Sequence, residues 1–402
     1  MPSRFGSALD RLRGTRASVD RACDHVTARN EQVLSWQCDV TRIAAPTGHE
    51  SARADWMSMR LAASGWPDVR IDAGGNVIAR RAGSAGSATG AVWCCAHLDT
   101  VFDDAAPLVV RDGVHLQGPG IGDNGRGLAA LLAIADAIHA TAVQAPRDIV
   151  LACSVGEEGL GDLQGIKRLM HDASPLPHAV IAIDGAGDDR IVHSALGSTR
   201  WRITFTGSGG HSWADFGIAN PVHAAAAVAT ELQAVLLPTT PRSTLTVARI
   251  GGGESINSIP RDGWLEVDLR SEDASVLQGL ERTMRQAVSR ILARENVRRR
   301  DGTTLLTCDV EQLGNRPCGS TPRDAPLVRI AAKATRAIGR MPRLATGSTD
   351  ASVPISLGIP AIAIGAGGRG GATHTPQEWY DDTGGVRGLQ RALRIVLVSA
   401  GL

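Results

Sequence analysis

Val92-Trp93-Cys94-Cys95-Ala96-His97-Leu98-Asp99 sets an apolar run directly before a histidine and a carboxylate two residues apart. The run has the length of a buried strand, and the pattern recurs: 149–155 leads into Glu157-Glu158, and 179–183 leads into Asp184. Ligands in open α/β sheets gather beyond the carboxyl ends of parallel strands, so three separate segments are predicted to deliver metal-type side chains to one sheet edge.

Working outward, the chain alternates apolar runs with helical stretches. A hairpin is predicted from strands at 69–71 and 76–80 around Asp72-Ala73-Gly74-Gly75. A small hairpin at 108–117 follows the 92–96 strand. The turn Gly118-Pro119-Gly120-Ile121-Gly122-Asp123-Asn124-Gly125 then feeds an apolar helix from about 127 to 140. With strand 149–155, a helix near 162–171 and strand 179–183, the β/α alternation predicts a mostly parallel sheet. Upstream, 7–34 has helix-forming composition without a clean apolar stripe, and Thr47 or Ser51 is expected to cap a helix over 52–63.

After about His193 the order changes. Strands at 200–206, 244–250 and 263–270 and helices at 221–236 and 276–295 follow the first five elements of a β-α-β-β-α-β order, with Leu277, Leu280, Met284, Ala287 and Ile291 on one side of the second helix. Alternation resumes with a helix at 327–338, an apolar run at 353–364, a glycine-rich stretch from Gly365 to Gly371 before His374, and a last helix at 385–399. The expected architecture is an α/β domain with a mostly parallel sheet, made of residues 1–194 and 311–402, interrupted by a ferredoxin-like α+β domain at 195–310.

Bulk properties narrow the function. The 402 residues carry 42 Lys and Arg against 41 Asp and Glu, a formal charge of +1, and the longest basic cluster, Arg298-Arg299-Arg300, has no interleaved aromatics, which argues against nucleic acid as a partner. Seven cysteines without a C-x-x-C pair fit a reducing compartment. No apolar stretch reaches membrane-spanning length and the N-terminus lacks the apolar core of a signal peptide, so the expectation is a cytoplasmic protein with no membrane partner. No G-x-G-x-x-G follows a first strand, which weakens an oxidoreductase reading.

His97, Asp99, Asp123, Glu157, Glu158, Asp184 and His374 together offer what two neighbouring divalent cations need: imidazole nitrogens, carboxylates, one of them able to bridge, and room for a water. Asp99 shares an extended face with His97 and is placed to accept its other ring N–H. Asp123, in a glycine-rich turn, is the candidate bridge. Of the adjacent Glu157 and Glu158, one can ligate while the other serves as general base. Any one of these residues alone reads more readily as a cap or a surface charge. The combination does not.

These residues resemble the dinuclear zinc exopeptidases and deacylases that include carboxypeptidase G, peptidase T, acetylornithine deacetylase and aminoacylase. The carriers are Ala96-His97-Leu98-Asp99-Thr100-Val101, Gly122-Asp123-Asn124, Gly156-Glu157-Glu158-Gly159, Ile183-Asp184-Gly185, Gly210-His211-Ser212, Asn257-Ser258-Ile259-Pro260 and His374-Thr375-Pro376-Gln377-Glu378. The resemblance implies two zinc ions per subunit, with cobalt or manganese also suited to the donors. It places His97 and Asp184 on one ion, Glu158 and His374 on the other, Asp123 between them, Glu157 as base and Asp99 behind His97. It also implies a homodimer through the inserted domain, with His211 reaching the partner's site to stabilise the oxyanion, and Asn257 and Arg316 binding substrate. Read without the resemblance, His211 could equally cap a glycine-rich turn, Arg316 could be a surface ion-pair partner, and Arg270 is structural.

Two features depart from or subdivide the pattern. Where many relatives have a lysine soon after the bridging aspartate, this chain has Asn124-Gly125-Arg126. Gly347-Ser348-Thr349-Asp350-Ala351 and the glycine-rich stretch before His374 look more like the peptidase T side of the family. That stretch lacks the Lys-Ser/Thr of a phosphate cradle and is expected to contact substrate. The predicted activity is hydrolysis of an amide bond in a small peptide or N-acyl amino acid. The rivals are a deacylase of a biosynthetic N-acyl amine, of acetylornithine or succinyl-diaminopimelate type, and a non-catalytic metal-dependent binding protein.

Overall fold

The computed structural model describes residues 4–86, 90–103 and 107–402. The chain divides into two compact units, one of Met1–Ala195 with Ser320–Leu402 and one of Leu196–Gly319.

In the first unit, the apolar runs become central strands because they can be covered on both faces. Val92–His97 pairs in parallel with Ile149–Ser154 on one side and Ala179–Ile183 on the other. Ala361–Ile364 continues in parallel beside Ala179–Ile183, then Arg190–Ala195 runs antiparallel to it. The hairpin Asp68–Ile71 and Val77–Arg81 closes the other side, its second strand antiparallel to Ile149–Ser154. Helices cover one face, chiefly the Gly125–Ala140 helix, buried nearly all round, and Gly385–Ser399. Gln164–Asp172 and Ser352–Ser356 pack on the other. Each fully buried Leu or Ile here contributes roughly 1.5–3 kcal/mol.

The N-terminal stretch is two helices, Arg4–Ala28 and Asn30–Thr41. Val19, Ala22, Cys23 and Val26 are buried in the main core, an i, i+3, i+4, i+7 stripe that the many arginines around it obscure in the sequence.

The second unit is an antiparallel sheet in the order Ser243–Gly252, Asp262–Ser271, Gly197–Thr206, Thr307–Arg316. The helices Pro221–Gln233 and Ala274–Arg298 bury Val228, Leu232, Met284 and Ile291 against Ile203, Phe205, Leu265 and Val267. The boundary expected at 310/311 falls inside a strand. Thr307–Arg316 pairs with Gly197–Thr206 from Thr307 opposite Thr206 to Arg316 opposite Ser198, and that ladder keeps residues up to Gly319 in this unit.

Candidate metal centre

The parallel strands deliver their side chains as the sequence predicts. His97 ends Val92–His97 opposite Ser154, Glu157 and Glu158 follow Ser154 by one short turn, and Asp184 follows Ile183 directly. Asp123 enters from the loop before the Gly125–Ala140 helix. His374 comes from the loop after Arg369–Gly371, with left-handed backbone at φ 64°, a conformation that costs a non-glycine residue and clusters at functional positions.

His97 Nε2 lies 3.0 Å from Asp123 Oδ1 and 4.0 Å from Asp184 Oδ1. His374 Nε2 lies 3.3 Å from Asp123 Oδ2 and 3.0 Å from Glu158 Oε1. The two oxygens of Asp123 therefore face two different imidazoles. Two groups that could each hold a metal ion result, His97–Asp123–Asp184 and Asp123–Glu158–His374, each with donor atoms within 4.8 Å of one another and with Asp123 in both. His97, Glu157 and Glu158 form a third such group, so Glu157 stands against the same pair of triads.

The electrostatics call for cations. Burial and the neighbouring Asp123 push the Asp184 carboxyl up to about 7, against the pull of His97. Burial also favours neutral Asp123, yet its bonds to His374 and His97 prevail and hold it below the usual carboxylate range. For His97, burial works against the protonated ring, but Asp123 and Asp99 raise its pKa well above the ordinary value. Its bond to Asp123 lifts His374 to about 9. Carboxylates and imidazoles this crowded are a charge pattern that bound cations would relieve, and nitrogen and carboxylate donors suit zinc-type ions.

The supporting residues differ in part from expectation. Asp99 is buried, but its carboxylate accepts the backbone N–H groups of Glu157 (2.9 Å) and Glu158 (2.8 Å) and the Thr47 hydroxyl (2.8 Å). The ring Nδ1 of His97 is 3.0 Å from the Asp99 backbone carbonyl and 3.5 Å from its carboxylate, so Asp99 fixes the glutamate turn as much as the histidine. Thr47 is thereby diverted from capping. Residue Glu50 precedes the Ser51–Ala63 helix, which has no side-chain cap; the Glu50 carboxylate instead holds Gly48 N and Gly156 N.

Two positioning residues carried no assigned role in the sequence. Glu378 accepts the N–H groups of Gly120 (3.1 Å), Gly122 (2.8 Å) and Asp123 (2.8 Å), which pins the loop bearing the shared carboxylate. Asn124 caps the following helix through Gly127 N and also holds Gly185 N (3.2 Å) and Ile183 O (2.9 Å), the backbone on both sides of Asp184. Arg126 is fully buried with its guanidinium 4.8 Å from the Tyr380 ring and its Nε on Ala366 O at 3.1 Å. It braces the core beneath the site.

A cavity of about 810 Å³ opens beside Asp123 and Asp184. Its walls include Gly185, Gly365, Gly368, Gly370, Gly371 and Trp379, so the glycine-rich stretch faces the space next to Asp123 and Asp184. A Cβ on Gly371 would stand 2.7 Å from the Trp379 ring. Glycine is what lets that ring form a wall.

His211, Asn257 and Arg316 belong to the other unit. Exposed His211 accepts the N–H groups of Trp213 (3.1 Å) and Ala214 (3.3 Å) at Nδ1, so it does cap a turn, and that bond fixes the tautomer with hydrogen on Nε2. Asn257 is exposed, with Oδ1 2.6 Å from Ser255 Oγ. Arg316, at the end of its strand, is 6% exposed and so is no surface residue. Arg270 pairs with Asp268 at 2.8 Å.

The family model described as Peptidase family M20/M25/M40 matches residues 93–397, a span that runs from the first central strand to the last helix. The chain belongs to this family. It is an M20-type hydrolase acting on C–N bonds, peptide or amide. No curated protein matches the sequence. Among solved structures, a tripeptidase from Staphylococcus aureus subsp. aureus Mu50 is similar at 20% identity and TM-score 0.76, over 92% of this chain and 99% of that one. The aminopeptidase PepT of Bacillus cereus ATCC 10987 follows at 17% and 0.73, over 92% and 99%, and human carnosine dipeptidase 1 at 13% and 0.70, over 96% and 100%. At these identities the likeness establishes the shared fold. Among the described residues no helix is long and apolar enough to cross a membrane.

Proposed function

We propose that this M20 hydrolase cleaves the amide bond of a small peptide or N-acyl amino acid at a two-metal centre with Glu157 as general base. The observation that carries the proposal is Asp123, whose two carboxylate oxygens face the separate imidazoles of His97 and His374. His97 and Asp184 would hold one ion, Glu158 and His374 the other, with Asp123 common to both; two zinc ions fit, and cobalt or manganese would be accepted by the same donors. When bound, the ions supply an acidified water and polarise the scissile carbonyl.

The chain's own residues do the rest. Glu157, buried beside His97 and Glu158, takes the proton from the attacking water and passes it to the leaving amine. Asp99 holds Glu157 and Glu158 by their backbone, so the base and its neighbour keep a fixed separation. His211, with its proton on Nε2, is in the tautomer that can donate to a developing oxyanion, and the resemblance assigns it that role across a homodimer formed by the Leu196–Gly319 unit. The resemblance assigns Asn257 and Arg316 to substrate binding.

The test is product detection by mass spectrometry from dipeptides, tripeptides and N-acetyl, N-succinyl and N-carbamoyl compounds, using metal-loaded, chelator-treated and Glu157→Ala protein. Metal-dependent turnover that falls by about 10²–10⁴-fold in the variant, with metal content retained, is expected. A variant that keeps near wild-type kcat ends the mechanism, and the panel itself separates peptidase from deacylase.

A further inference from the structure

The helix Pro326–Ala337 and the segment Pro342–Leu344 enclose a groove of about 430 Å³ on the first unit. Arg323, Arg329, Lys333 and Arg336 line it, and no acidic residue does. None of these four cations has an ion pair or side-chain hydrogen bond among the described residues. Of the acids nearby, Asp188 pairs with Arg340 at 2.9 Å and Asp189 with Arg343 at 3.4 Å, and Asp324, next to Arg323 in the chain, does not line the groove. In a chain of net charge +1, such a local excess requires its own account.

Ordinary helix electrostatics does not give one. Lys333 and Arg336 stand in the last turns, where the helix dipole favours cations, but Arg329 is in the first turn and Arg323 precedes it, where the dipole opposes them. Arg329 and Lys333 are four apart and Lys333 and Arg336 three apart, so like charges face each other along one side, an arrangement that destabilises the helix. The floor between them is apolar: Val328 buried, and Ala332, Pro342 and Leu344 half-buried.

We infer that this groove binds a small organic polyanion of the phosphate ester class, with two or more negative charges met by the arginines and a ring or apolar body lying on the Val328–Leu344 floor. Arginine forks match phosphate oxygens in pairs, and the concave floor suits a compact ligand better than a flat anionic membrane. The proposal does not depend on the hydrolytic reading, because its residues are separate from every residue assigned to catalysis.

Isothermal titration of the metal-loaded protein with ADP, with inorganic pyrophosphate and with adenosine tests it, metal content being measured before and after. One ADP per chain is expected to bind, more tightly than pyrophosphate by several-fold, with adenosine weak and with affinity falling as salt is raised. Lys333→Glu should weaken ADP at least tenfold while peptide or amide turnover is unchanged. That variant replaces two like-charge repulsions by attractions but gives up the dipole-favoured cation near the helix C-terminus, so the melting temperature is measured beside binding, and loss of ADP binding in a variant that melts within a few degrees of wild type is the result that counts. Pyrophosphate binding as tightly as ADP would leave the phosphate site standing and remove the apolar floor from it. The proposal is overturned if ADP shows no saturable binding, or if Lys333→Glu binds as wild type does, or if a tetraglutamate peptide binds more tightly than ADP.

Discussion

At the residue scale, buried carboxylates in this protein do two kinds of work that the same side chain could not do exposed. Glu378 spends its charge on three backbone N–H groups, and burial raises its pKa while those donors oppose the rise. Glu378→Ala should leave three donors of the Asp123 loop unmet, costing about 1–3 kcal/mol, and should loosen metal retention because the shared ligand loses its support. Equilibrium dialysis against a graded chelator measures that loss; unchanged retention would mean the loop holds without Glu378. Asp148 is the structural counterpart. Its carboxylate binds Gly83 N at 2.7 Å and Arg80 Nε at 3.0 Å, and although burial alone would raise its pKa, these partners lower it. A carboxyl with a depressed folded pKa contributes stability above its unfolded value and loses that contribution as pH falls through the folded value. With Arg80 itself partly exposed, Asp148→Asn should cost about 1 kcal/mol at neutral pH, and the gap to wild type should narrow in acid. Urea melts at several pH values check it, and a gap that stays constant from neutral pH into strong acid would contradict it.

At the scale of elements, the helix Gly385–Ser399 meets the glycine-rich stretch at a backbone crossing. A Cβ on Gly388 would come 2.1 Å from Gly367 Cα. Alanine is the better helix former by about 1 kcal/mol, yet here the overpacking cost of about 1–3 kcal/mol should win, so Gly388→Ala is expected to lower the melting temperature. It should also lower turnover, since Gly368, Gly370 and Gly371 continue from Gly367 into the cavity wall. Thermal denaturation followed by circular dichroism, with kcat beside it, decides the matter. Such crossings also explain what the sequence made legible. The runs at 92–96, 149–155 and 179–183 are continuous apolar segments ending in ligand-type residues, so their strand identity and the delivery of His97, Glu158 and Asp184 to one sheet edge could be read from that pattern, whereas Asp123 and His374 come from glycine-rich loops and were named through the residue inventory and the family resemblance. The Val19–Val26 stripe was hidden among charged neighbours, and the stop of Thr307–Arg316 is set by pairing with a strand about a hundred residues away. Thr47, Glu50, Asn124 and Glu378 escaped because their partners are backbone groups of distant loops, and a side chain's choice of backbone partner leaves no periodic trace.

At the scale of the whole molecule, the candidate ligands all belong to one of the two units but come from both of its chain segments, His97 through Asp184 before the Leu196–Gly319 insertion and His374 after it. Bound ions would therefore tie the two segments together, and the insertion would not share in the gain. An ion that binds only the folded site stabilises by about 2.7 kcal/mol at a free concentration one hundred times its dissociation constant. Removing metal should accordingly lower the unfolding transition of the unit that holds the cluster and leave that of the Leu196–Gly319 unit in place. Differential scanning calorimetry of metal-loaded and chelator-treated protein resolves this. A shift of one transition alone matches the expectation, and a shift of a single common transition would show that the two units unfold together. No shift at all would mean that the crowded carboxylates and imidazoles are neutralised by protons and hold no ion, and the two-metal reading would then fall with it.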